Sequence, residues 1–232
     1  MTETLLVTGA SGQLGRGVIR YLLDAHKTPP AKIIATTRNP ESLADLAVRG
    51  VVVRAADFND AISLETAFKG ADKALIISTG DLDLKSGKRL KQHENAVAAA
   101  KNAGVSHLLY TSMPNPEPVS PVLFAGDHYS TEQAIKASGI PYTIFRNGWY
   151  QENLFMALPQ AIASGHWYTS AGEGRIAHGA RDDSGDRRRS RFWHDRQQNL
   201  HADWPASVHD GRDRRPRQRS HRQAARCRAG FG

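Results

Sequence analysis

The stretch Thr8-Gly9-Ala10-Ser11-Gly12-Gln13-Leu14-Gly15 decides the fold because of what stands on either side of it. Before it runs Leu5-Leu6-Val7, a short apolar segment. After it Val18, Ile19, Tyr21, Leu22 and Leu23 fall at helical spacing. A buried strand, a glycine turn and an amphipathic helix form the first crossover of a doubly wound α/β sheet, where such folds hold a pyrophosphate. Gly9 then makes the tight turn, Gly12 lets backbone N–H groups approach a phosphate, and Gly15 lets the helix pack closely on the strand. Ala10, Ser11, Gln13 and Leu14 complete the phosphate loop. A glycine loop without a ligand is the bland alternative, and the strand–turn–helix context speaks against it.

Working outward, the same alternation continues to about residue 146. Strands are predicted at Thr4–Thr8, Lys32–Thr37, Val51–Ala55, Lys73–Ser78, His107–Thr111 and Tyr142–Arg146, with helices at 13–26, 41–49, 61–68, 88–103 and 125–138. Gly50, Gly70, Gly104 and Gly139 each stand where a helix should stop. Near-continuous apolar strands separated by helices imply a parallel sheet covered on both faces, a Rossmann-like doubly wound fold. The expected organisation is a nucleotide-binding domain over 1–155, the start of a substrate-binding region over 156–180, and a tail over 181–232.

The chain carries +8 in all, but unevenly. From Arg181 onward fourteen Arg and seven Asp give +7, leaving +1 for residues 1–180. The tail lacks Lys, Glu, Ile, Met and Tyr, and its only aliphatic residues larger than Ala are Leu200 and Val208. Such a segment buries too little apolar surface to offset chain entropy, so it is expected to be disordered. One reading is a basic tail that binds a polyanion. The favoured one is translation in the wrong frame. Read one nucleotide downstream, the Trp193–His194 and Trp204–Pro205 junctions must each encode Gly, and Gln198–Asn199 must encode Lys or Arg. Free codon choices between them permit a strand and then a helix. Nucleic acid is therefore not the expected partner, and the substrate-binding region is expected to be incomplete.

No apolar stretch approaches the ~20 residues of a membrane span, and no basic-then-apolar signal pattern is present. A lone cysteine, Cys227, excludes a disulfide within the chain and fits a reducing cytoplasm.

The ends of the predicted strands carry the candidate chemistry. The second closes on Thr36-Thr37-Arg38-Asn39-Pro40. At this position an acid suits the ribose 2′-hydroxyl of NAD, whereas Arg suits the 2′-phosphate of NADP. Arg38 points to NADP; a solvated Arg beside a turn is the alternative. Asp57, after the third strand, could accept from an adenine amino group or cap the next turn. Ser78, Thr79 and Gly80 close the fourth strand, and Thr111 and Ser112 the fifth, at the edge where ligands collect.

These residues, with Tyr110-Thr111-Ser112 and above all Arg146-Asn147-Gly148-Trp149-Tyr150-Gln151-Glu152-Asn153, resemble the NmrA-like branch of atypical short-chain dehydrogenases over about residues 4–180. Within that branch they are similar to bacterial NAD(P)H:quinone oxidoreductases of the type-2 class. The resemblance implies two-electron hydride transfer from NADPH to a small-molecule quinone. It would place Tyr142, Thr143, Ile144, Phe145, Arg146 and Asn147 under the nicotinamide. Asn147, Trp149, Tyr150 and Asn153 would lie near the substrate mouth, although Trp149 and Tyr150 equally suit plain packing.

The Tyr-x-x-x-Lys pair of ordinary short-chain dehydrogenases is absent, since Tyr129 is followed four positions on by Gln133. His128 and Glu132, at i and i+4, are candidates for a proton relay or, more ordinarily, a surface pair. The candidate catalytic residues are thus Asn147, Tyr150 and His128. The alternative function is an NADP-binding redox sensor without turnover, and a homodimer fits either reading.

Overall fold

Six of the apolar runs become strands of one parallel sheet. In the computed structural model, residues 3–80, 83, 86–166 and 178–179 are the ones described. All belong to the first of two compact units, Met1–Ala202 and Asp203–Gly232. The readings of 181–232, basic tail or shifted frame, lie outside the described residues.

In chain order the sheet uses β1 (Leu5–Val7), β2 (Ile33–Thr37), β3 (Val52–Ala55), β4 (Lys73–Ile76), β5 (His107–Ser112) and β6 (Tyr142–Arg146). They stand side by side as β3-β2-β1-β4-β5-β6, all parallel. The order reverses between β1 and β4, so loops leaving these two strands diverge and open a crevice at the C-terminal edge.

The crossover helices are α1 (Gln13–Asp24), α2 (Ala44–Val48), α3 (Ala61–Phe68), α4 (Lys88–Asn102) and α5 (Ala125–Ser138). Alternate strand residues feed two separate cores. Leu5 and Val7 join Ile19, Leu22, Leu43 and Leu46 of the α1/α2 layer. Leu6, Ala74, Ile76 and Leu108 join Leu64, Phe68, Ala96, Ala100 and Ile135 of the α3/α4/α5 layer. Each fully buried Leu, Ile or Phe contributes about 1.5–3 kcal/mol, so both faces must be covered.

Segment ends differ little from expectation, with one division. The helix expected at 41–49 splits into a 3-10 turn, Pro40–Leu43, and α2. Asn39 caps the turn by accepting from the Glu41 amide, and Pro40 presets its first φ. After β6 come β7 (Trp149–Tyr150), α6 (Leu154–Ser164) and β8 (His178–Gly179), β7 pairing with β8 in parallel. The boundary expected at 155/156 falls inside α6, a continuous helix.

Candidate active site

The glycine loop forms a cradle whose shape follows from backbone packing. Gly9 has φ +59°, in the left-handed region that side chains disfavour. Its carbonyl accepts from the Gly12 amide at 2.9 Å, closing the turn. A Cβ on Gly15 would lie 2.4 Å from the Gly9 oxygen and 2.8 Å from Ala10 Cα, so α1 starts hard against the loop. Gly9, Ser11, Gly12 and Gln13 are exposed along the rim, whereas Ala10 and Gly15 are buried beneath. Gly12 stands at the N-cap of α1 and, as a glycine, makes no side-chain cap there. An exposed helix N-terminus beside backbone this close suits a phosphate and leaves no room for side chains.

The second strand holds the next part of the crevice against this loop. The Ala10 amide donates to the Thr36 carbonyl at 3.0 Å, and the Thr37 hydroxyl donates to Ser11 Oγ at 3.1 Å. Arg38 follows directly and is exposed. Arg16, one turn into α1, is instead tied to Asp45 at 2.7 Å. After β3, Asp57 uses Oδ1 to accept from the Asn59 amide and side chain, both at 2.9 Å. Of its two expected roles the turn cap is therefore observed, while Asp60 caps α3.

Behind the loop after β4 lies a buried polar network. The Thr79 amide donates to His93 Nε2 at 3.0 Å, and His93 Nδ1 meets Thr131 Oγ1 at 2.9 Å. An amide can only donate, so Nε2 accepts and Nδ1 carries the proton. The Thr131 hydroxyl donates to the Asp127 carbonyl at 2.6 Å. Likewise Arg89 Nη2 can only donate to His128 Nε2, at 2.8 Å, so His128 Nδ1–H donates to Tyr110 Oη, also at 2.8 Å. Burial, reinforced by the Arg89 charge, pushes both imidazoles down to about 3. Burial likewise pushes the Tyr110 phenol up. All are neutral across the physiological range. Arg89 lies over the Phe124 ring, 5.4 Å from its centre.

The ends of β5 and β6 meet on a second buried group. Glu132 is 1% exposed and accepts from Ser112 Oγ at 2.6 Å. It also accepts from Arg146 in a fork, Nε to Oε1 at 3.1 Å and Nη2 to Oε2 at 2.8 Å. Glu117 takes Arg146 Nη1 at 2.9 Å. The two carboxylates, Glu132 first, hold the guanidinium above its ordinary pKa. Just beyond, the Asn147 amide donates to the Ser112 carbonyl at 3.1 Å and Asn147 Nδ2 donates to Tyr150 Oη at 3.0 Å.

The predicted site residues divide accordingly. Gly9 to Gly15, Arg38, Asp57, Ser78 to Gly80, Thr111, Arg146 and Asn147 all follow or end strands at the same sheet edge. Ser78 and Thr111 are joined there, the Ser78 amide donating to Thr111 Oγ1 at 2.9 Å. Tyr142 and Thr143 are not brought to that edge. They pair with Leu108 and Leu109, four and three residues before Arg146, about 13 and 10 Å back along the strand. Tyr142 and Ile144 pack against the α3/α4/α5 core, and Phe145 against the opposite one.

His128 and Glu132 are not the surface pair, and they do not form a relay with one another. Both are buried, at 4% and 1% exposure; His128 bonds Arg89 of α4 and Tyr110 of β5, whereas Glu132 bonds Ser112 of β5 and Arg146 of β6. Trp149 is half exposed rather than core. The sequence reading passed over Arg89, Gln92 and His93. A signal existed, because 89, 93, 96 and 100 lie on one helical face and the last two are apolar.

Fold and site define a Rossmann-like α/β protein, with a glycine-rich loop at the point where the strand order of its six-stranded parallel sheet reverses. The chain belongs to the NmrA-like family, whose sequence profile matches residues 1–169. Quinone oxidoreductase 2 of Escherichia coli K12 is 42% identical over 180 residues, 77% of this chain and 60% of that protein. The NAD(P)H azoreductase of Xenophilus azovorans is 28% identical over 173 residues, 75% of this chain and 57% of the relative. Among solved structures, the E. coli NADPH-dependent quinone oxidoreductase QOR2 complexed with NADPH superposes with a TM-score of 0.71 at 40% identity, covering 78% of this chain and 62% of that one. The Citrobacter triphenylmethane reductase complexed with NADP(H) gives 0.73 at 37%, covering 84% and 67%. The chain thus spans about 60% of the length of the quinone oxidoreductase it matches.

Proposed function

We propose that this chain binds NADPH at the Gly9–Gly15 cradle and acts as a reductase that passes two electrons to a quinone. One observation carries the reading. The exposed Arg38 directly follows Thr37, whose hydroxyl bonds Ser11 of the cradle, so a cation stands beside a phosphate-shaped loop. Amides at the start of α1 would take the pyrophosphate, and Arg38 a 2′-phosphate, which its planar fork suits. NADPH supplies a hydride when bound. The similarity to a quinone oxidoreductase, an azoreductase and a triphenylmethane reductase supports an acceptor that is a conjugated compound.

The chain's own part at the acceptor would be modest. A quinone that gains a hydride becomes a phenolate-like oxygen, which one or two hydrogen-bond donors or water can serve. Asn147 and Tyr150, already bonded to each other, supply an amide N–H and a phenol O–H for that oxygen. His128 and His93, each committed through both ring nitrogens, tie α4 and α5 to β5 and to the loop after β4 rather than exchange protons with a ligand. The missing Tyr–Lys pair disfavours alcohol oxidation and leaves quinone reduction chemically sufficient.

The test is to follow NADPH absorbance with menadione or benzoquinone, alongside a fluorescence titration of NADPH and NADH. Quinone-dependent NADPH oxidation is the expected result. Tight NADPH binding without turnover assigns the protein instead as a redox sensor, and no binding of either nucleotide overturns the whole reading.

A further inference from the structure

We infer that Glu132 is the positioning residue that sets the Asn147–Tyr150 pair. This rests on the reading of that pair as the acceptor-facing donors. Asn147 is held through two neighbours, the Ser112 carbonyl that takes its amide and Arg146, which precedes it in the chain. Glu132 grips both of them. One carboxylate oxygen accepts the Ser112 hydroxyl and Arg146 Nε, and the other accepts Arg146 Nη2. It thereby couples α5 to the last residues of β5 and β6, which are already in register at Ser112 and Arg146.

The carboxylate is almost wholly buried, and it is uncommon for a charge to sit so unless it is paired. A fork fixes direction as well as distance, so it holds the end of β6 in one orientation where the chain leaves for Asn147. From there the side chain meets Tyr150 Oη. Packing alone would be served by an apolar residue at 132. A carboxylate that satisfies three donors on two strands aims a specific chain direction.

Glu132→Gln keeps the shape but turns one accepting oxygen into a donor that faces Arg146 Nη2. The expected result is an NADPH Kd within about 2-fold of the parent and a kcat/KM for menadione about 10–100-fold lower, since ångström misplacement of a donor costs that much. A second readout needs no turnover. In a side-chain amide NMR spectrum, the Asn147 resonance should move toward its position in Tyr150→Phe.

Should Glu132→Gln fail to fold, Glu132→Asp carries the same test, because it keeps the charge and withdraws the carboxylate from the fork by one methylene. An unmoved Asn147 resonance in the folded variant overturns the inference. So does an NADPH affinity that falls in step with kcat/KM. If the parent chain reduces no quinone, the proposed reaction fails while the amide readout still decides the role of Glu132.

Discussion

Replacing Gly15 with alanine puts a Cβ 2.4 Å from the Gly9 carbonyl oxygen, 2.8 Å from Ala10 Cα and 2.9 Å from the Gly9 carbonyl carbon. Ordinary contact begins near 3.4 Å, so α1 and the loop must separate by about 1 Å. All three obstructing atoms are backbone, and none can swing aside. The cost therefore belongs at the upper end of over-packing, about 2–3 kcal/mol, or a Tm lower by roughly 4–12 °C. The same displacement pulls one or two amides off a bound phosphate, weakening NADPH about 10–100-fold. Calorimetry and NADPH fluorescence titration read the two effects separately. Gly126→Ala is the control, because its Cβ meets nothing within 4 Å and alanine favours the α5 helix. Wild-type affinity in Gly15→Ala, whatever its Tm, would refute the cradle as the phosphate site.

Two further outcomes follow from the buried groups and the rim. His93 and His128 are held neutral in the fold, down to about 3, while the unfolded chain protonates them near 6.5. Between those values the unfolded state binds the extra protons, so stability falls as pH falls from about 6.5 toward 3. Each imidazole contributes about 1.4 kcal/mol per pH unit once fully titrating, on the order of 5 kcal/mol for the pair by pH 4.5. Urea unfolding at pH 7, 5.5 and 4.5 checks this, and a flat profile contradicts the network. Arg38→Asp should weaken NADPH about 10–100-fold and leave NADH nearly unchanged, since only the 2′-phosphate contact is lost. Unaltered preference between the two nucleotides would move the phosphate site elsewhere.

Much of the sheet is legible in the chain because its signals are local. Ile33-Ile34-Ala35 and Leu108-Leu109-Tyr110 are apolar throughout, as strands buried on both faces must be. Gly139, expected to end a helix, does so with φ +79°. The cradle is equally local, since Gly9, Gly12 and Gly15 act within one turn. Less of the polar chemistry could be read this way. His128 and Glu132 look like a surface pair at i and i+4. Helical spacing says only that they share a face, not that the face is buried.

By itself, then, the sequence determined the strand–helix rhythm, the glycine cradle and the cation beside it, because each depends on neighbours a few residues away. Only the tertiary structure decided the partners of the buried polar groups. Arg89 meets His128 across 39 positions, His93 meets Thr131 across 38, and Ser112 meets Glu132 across 20. Those pairings exist because α4 and α5 are pressed onto one face of β5, where a polar atom shut off from water must take whichever donor or acceptor the fold brings to it.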